Sequence, residues 1–79
     1  MKAFIYYNPI AKFYYIINEE YKCLRTQNRM IFDTIKECLL FIESKIYQYM
    51  NYNPHYYGQF ILKIDLEKPI REQFPEYLI

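Results

Sequence analysis

The apolar residues between Ile31 and Met50 constrain what this chain can fold into more than any other feature. Ile31, Ile35, Cys38, Leu39, Ile42, Ile46, Tyr49 and Met50 follow one another at steps of one, three or four, the spacing of a single helical face. Lys36, Glu37, Glu43, Ser44 and Gln48 take the opposite side, so the spacing predicts an amphipathic helix over 31–50 with one buried stripe. Asp33 or Thr34 is placed to cap its first amides, and Thr34 with Glu37 three residues on fits a capping box. Asn51, which tolerates left-handed backbone, and Pro54, which disfavours further helix, predict its end. Burying that stripe is worth on the order of 10–20 kcal/mol gross, and an isolated helix cannot gain it without a partner surface. The rest of the chain has to be that surface.

The segments around the helix have strand chemistry. Lys2 to Tyr7 and Lys12 to Ile17 are rich in Phe, Ile and Tyr without helical spacing, and the Asn8-Pro9-Ile10-Ala11 step between them favours a turn. A hairpin is the simplest reading. Asn18-Glu19-Glu20 supplies a second turn, and Tyr21 to Thr26 returns as a third strand. Gln27-Asn28-Arg29 breaks the pattern, and Met30-Ile31-Phe32 adds a short extended step. Beyond the helix, Asn51 to Gly58 reads as a loop holding the sole glycine and histidine. Gln59 to Leu66 then alternates, with Phe60, Leu62, Ile64 and Leu66 expected to face the core, where Ile35, Leu39, Ile42 and Ile46 of the helix would meet Phe60, Leu62 and Ile64. Pro69 to Phe74 fits one helical turn stopped by Pro75, and Tyr77-Leu78-Ile79 is apolar enough to pack back on the sheet or on a partner. The order is β-β-β-α-β over one small domain, residues 1–79, of the α+β class: two layers, with one helix on one face of an antiparallel sheet.

Length and composition bound the function. A chain of 79 residues buries only about 60% of its unfolded surface, so self-association as a homodimer is open to it. Its 53% hydrophobic content makes it globular. No run approaches the roughly 18 apolar residues that span a bilayer, and Met1 to Tyr7 is too short and aromatic for a signal peptide. A cytoplasmic protein without membrane contact is expected. Cys23 and Cys38 form no C-x-x-C pair or metal-ligand series and read as reduced structural thiols. His55 has no Ser, Cys or carboxylate beside it, the carboxylates are scattered over turns, a cap and a solvated helix face, and one glycine cannot make a phosphate loop. A non-enzyme without cofactor or metal is expected.

Aromatic residues make up 22% of the chain, 11 of them tyrosine. Tyr, Phe, Ile, Lys and Asn share A/T-rich codons, which accounts for part of that excess. The rest bears on function, because the first two strands carry apolar side chains at both parities and one helix covers only one sheet face. The other face keeps tyrosines, and such a patch marks an interaction surface. Residues 1–32 carry five basic and two acidic side chains, against five and seven in 33–79. The expected surface is Tyr6, Tyr7, Tyr14 and Tyr15 with Arg25 and Arg29, and Tyr and Arg are enriched at protein-binding hot spots. A protein partner is the favoured ligand. The alternative is a single-stranded nucleic acid stacked on the first hairpin, against which stand a net charge of +1 and a pI near 7.7. No motif identifies a family. In style alone the sequence resembles small accessory proteins of phages and mobile elements, some of which bind and block a host defence enzyme, and this implies an inhibitory binding role without assigning it to any residue.

Overall fold

The computed structural model describes residues 1–51 and 58–79. The predicted 51–58 loop, with Pro54 and His55, lies largely outside the described residues. The chain runs through strands β1 (Lys2–Asn8), β2 (Phe13–Asn18) and β3 (Lys22–Arg25), helix α1 (Ile35–Ser44), strands β4 (Gln48–Asn51) and β5 (Gln59–Asp65), the helical turn α2 (Ile70–Gln73) and a final 3-10 turn over Pro75–Tyr77. The five strands form one antiparallel sheet in the order β4-β3-β2-β1-β5, with α1 packed against one side: a small two-layer α+β fold, as expected. Among the described residues no helix is long and apolar enough to cross a membrane.

Two asparagines set the hairpins. The Asn8 side-chain oxygen accepts from the amides of Ile10 and Ala11, both at 3.0 Å, and Lys12 closes the loop in left-handed backbone, its N–H donating to the Asn8 carbonyl. Asn18 repeats the device, accepting from Glu20 and Lys22, with Tyr21 in the left-handed position. Both side chains are buried, so each turn carries its own polar partner inside and fixes the register of the strands it joins.

The helix begins at the cap the sequence offers, Thr34, four residues inside the predicted 31–50 span. Thr34 Oγ1 accepts from the Glu37 amide at 3.1 Å, and the Glu37 carboxylate reaches back to the Asp33 amide at 3.2 Å. It ends six residues before Met50. Lys45 takes left-handed backbone (φ 57°) and its N–H donates to the Ile42 carbonyl, after which 48–51 pairs with β3, Cys23 opposite Met50 and Leu24 opposite Tyr49. The predicted 31–50 helix is therefore ten residues long, the C-cap is Lys45 instead of Asn51, and the order gains a strand before β5. The physical reason is that β3 would otherwise be a bare edge. The segment Ile46 to Tyr49 is β-branched and aromatic, which suits a strand at least as well as a helix.

The core follows the shorter helix. Cys38, Leu39, Phe41 and Ile42 are buried with Ala3, Ile5, Ile16, Leu24, Phe32, Ile64 and Ile70, whereas Ile46 and Ile31, expected on the buried stripe, are exposed. Phe32 joins β2 by paired bonds with Tyr14 and packs its ring at a tilt against Phe41 with centroids 4.9 Å apart. The helix lies closest to β2 and α2, and Leu39, Ile42 and Ile35 share one core with Ile64 and Leu62 of the last strand, as expected. A register shift in β5 opposite Ile5 and Tyr6 leaves Ile61 as an extra residue. Leu62 and Ile64 keep their places opposite Ile5 and Ala3, but Phe60, predicted to face the core, falls opposite Tyr6 on the other side of the sheet. The end of the chain behaves as expected: α2 starts after Pro69, Tyr77 and Leu78 pack against the core, and only Ile79 projects.

Left-handed backbone costs a non-glycine residue about 1 kcal/mol or more. Lys45→Gly is therefore expected to raise stability by roughly 0.5–1 kcal/mol in urea unfolding. Were the helix continuous to Met50, the same change would lower stability by about 1 kcal/mol.

Candidate functional site

The sheet has one face under α1 and one face away from it, and strand parity divides the tyrosines between them. Ala3, Ile5 and Tyr7 of β1 and Tyr14 and Ile16 of β2 point toward the helix side, where the Tyr7 and Tyr14 rings meet at 4.7 Å. Phe4 and Tyr6, with Phe13, Tyr15 and Ile17, point to the second face. There the rings form a row across three strands. Phe60 meets Phe4 at 6.3 Å and Tyr6 edge-on at 6.1 Å, Tyr6 stacks on Tyr15 at 5.6 Å, and Tyr15 meets Phe13 at 6.1 Å.

This second face is not uniformly open. Tyr15 is 1% exposed, and Ile17 and Cys23 beside it are also buried. The Gly58 backbone lies directly on the Tyr15 ring. A Cβ built there would overlap the Tyr15 hydroxyl and stand 3.0 Å from two ring carbons, so glycine is required for close approach and not for a special φ. The accessible part of the row lies on the β1 and β5 side: Phe60 is 56% exposed, and Phe4 and Tyr6 are half-buried. Lys63, the cross-strand partner of Phe4, is exposed next to them. Lys2 and Asp65 form an ion pair of 3.0 Å at the end of the same side, and the Glu67 amide together with the Lys2 ammonium holds the Asp65 carboxyl below the usual carboxylate range.

The six residues singled out from sequence are thus not brought into one site. Tyr6 lies on the accessible surface, Tyr15 is buried under Gly58, and Tyr7 and Tyr14 are on the helix side. The two arginines are engaged within the chain. Arg25 donates from Nε to the Thr26 carbonyl at 3.0 Å and from a terminal nitrogen to the Gln27 carbonyl at 3.4 Å. Arg29 lies over the rings of Phe32 and Phe41, 4.9 and 5.9 Å from their centroids, with the Glu37 carboxylate 3.6 Å away. It ties the loop before α1 to the first turn of the helix. Phe4 and Phe60, not singled out from the sequence, are the other rings on the accessible part of this face. The parity of Phe4 was legible, but the bulge that turns Phe60 outward has no mark in the sequence.

Among the described residues no three His, Cys, Asp or Glu side chains are placed to hold a metal. Burial pushes the Cys23 thiol up to about 11 and raises Cys38 further, which leaves both protonated and unreactive. A cleft of about 270 Å3 between the end of α1 and the start of α2 is floored by Ile42, Leu66 and Ile70, but its two carboxylates, Glu43 and Glu67, are held by Arg71 (2.8 Å) and the N-terminal ammonium (3.2 Å). No family model matches the sequence, and no curated protein and no solved structure matches it.

Gly58→Ala is expected to cost about 1–3 kcal/mol in thermal or urea unfolding, through overpacking against Tyr15, and Tyr15→Phe in the same chain should shrink the penalty. An unchanged midpoint would mean that Gly58 does not lie on that ring. Neither cysteine should react with a thiol reagent in the native protein at about pH 8, and both should react once it is unfolded.

Proposed function

We propose that this chain is a non-catalytic protein-binding module whose contact surface is the accessible part of the second sheet face, Phe4, Tyr6 and Phe60 with Lys63 at its rim. The observation that carries this reading is Phe60. A large aromatic ring, more than half exposed, stands at the sheet edge and packs laterally on two further rings instead of turning into the core. Rigid aromatic side chains beside a single cation are the composition of interface centres, since they offer large apolar area at little entropic cost.

The electrostatics favour protein over nucleic acid. Phosphate binding relies on cations that can leave water for the backbone of the ligand, and Arg25 and Arg29, the candidates for that task, are spent on carbonyls, rings and a carboxylate of the chain itself. What the face presents is aromatic area with a small positive rim.

Affinity capture from the native host with the wild-type chain and Phe60→Ala in parallel, followed by titration of the purified partner, tests this. The substitution should weaken binding by about 1–3 kcal/mol while moving the melting midpoint little. Titration of single-stranded oligonucleotides between low and physiological salt is the opposing measurement. Binding at about 1 μM or tighter that survives physiological salt and disappears with Tyr6→Ala would replace the protein reading by the nucleic-acid one.

A further inference from the structure

Strand β5 is the free edge of the sheet beside the aromatic row, and its backbone is occupied unevenly. At its end the Gln73 carboxamide mimics a neighbouring strand: its Oε1 accepts from the Asp65 amide at 2.9 Å and its Nε2 donates to the Asp65 carbonyl at 2.8 Å. The outward-facing groups of Asp65 are thereby closed. Leu66 donates inward to Met1, and Asp65 and Lys63 stand opposite Lys2 and Phe4 in the β1 register, so the two-residue period of the ladder turns the N–H and C=O of Lys63 outward as well. Among the described residues nothing pairs with them, and no carboxylate lies within ion-pair reach of the exposed Lys63 ammonium.

We infer that β5 accepts an extended peptide segment of a partner protein as an added strand, centred on Lys63, with an acidic residue opposite Lys63 and a large apolar residue two or three positions along, beside Phe60. In such a pair the partner residue that exchanges both backbone bonds with Lys63 projects its side chain on the same face as the lysine, within reach of its ammonium. The next side chains on that face pass along the exposed ring of Phe60. The added strand is short, because Gln73 closes the edge at Asp65 and the extra residue at Ile61 twists it at the other side. A second copy fits less well, since two-fold pairing centred on these groups would place Lys63 against Lys63. The inference rests on the second face as the contact surface and names the shape and charge of what binds it.

The probe is a blocked synthetic peptide, Thr-Glu-Thr-Phe-Thr-Val, compared with its Glu→Lys version and with a version N-methylated at the glutamate, which cannot donate to the Lys63 carbonyl. Amide exchange and chemical shifts of the isotopically labelled chain are followed during each titration. The acidic peptide should slow exchange of the Lys63 amide, bind about fivefold or more tightly than either comparison peptide, and lose that preference with Lys63→Glu. Lys63→Pro, which removes an N–H that the sheet itself does not use, should weaken the peptide by a similar factor with the melting curve retained. Equal binding of the three peptides, or an unchanged Lys63 amide, overturns the inference. So does a dimer in sedimentation whose Lys63 amide is already protected, because the edge is then taken by a second copy. A partner that depends on Phe60 but is indifferent to Lys63→Pro would leave the aromatic face standing and remove the strand. A peptide that binds at Lys63 without perturbing Phe4, Tyr6 or Phe60 would keep the added strand but overturn the placement of its apolar residue, and with it the aromatic row as the contact surface.

Discussion

One ten-residue helix serves a five-stranded sheet, and most of the structure answers to that shortage. A sheet buried on one side only needs a polar outer face, yet β1 and β2 are apolar at both parities. The chain resolves the conflict by packing rings sideways. Phe60, Phe4, Tyr6, Tyr15 and Phe13 bury one another's flanks across three strands, and the Gly58 backbone seals the middle of the row. What remains uncovered is the β1 and β5 end.

Register makes this arrangement possible. A slip of one residue anywhere in β1 or β2 would exchange the two faces and send Ala3, Ile5 and Ile16 outward. Asn8 and Asn18 prevent it, each binding two turn amides with a buried side-chain oxygen. The same economy holds at the other ends: Thr34 and Glu37 close the start of α1, Lys45 turns its end, and Gln73 occupies the edge of β5.

Features written in neighbouring residues were legible in the sequence. The capping box, both asparagine turns, the short extended step at Phe32, the turn after Pro69 and the apolar tail all appear where local chemistry places them. Features decided by distant pairing were not. The stripe from Ile46 to Met50 satisfies helical spacing and strand propensity alike, and only the unpaired edge of β3 decides between them. The bulge at Ile61 is equally silent, since strict alternation through Gln59 to Asp65 gives no hint that the partner strand will drop a residue. The candidate site suffered for a related reason. Adjacent tyrosines point to opposite faces by strand geometry, so Tyr6-Tyr7 and Tyr14-Tyr15 could never form one patch. The arginines were claimed by carbonyls and rings that no sequence spacing reveals.

On the proposed function, the helix-free face and not the helix meets a protein partner. Site-specific photo-crosslinking in the native host measures this directly, with a photoreactive phenylalanine analogue placed once at Phe60 and once at Leu40 on the outer side of α1, both exposed positions. A discrete protein adduct from position 60, absent from position 40, is the predicted result. An adduct from position 40 alone would place the contact on the helix and contradict the account.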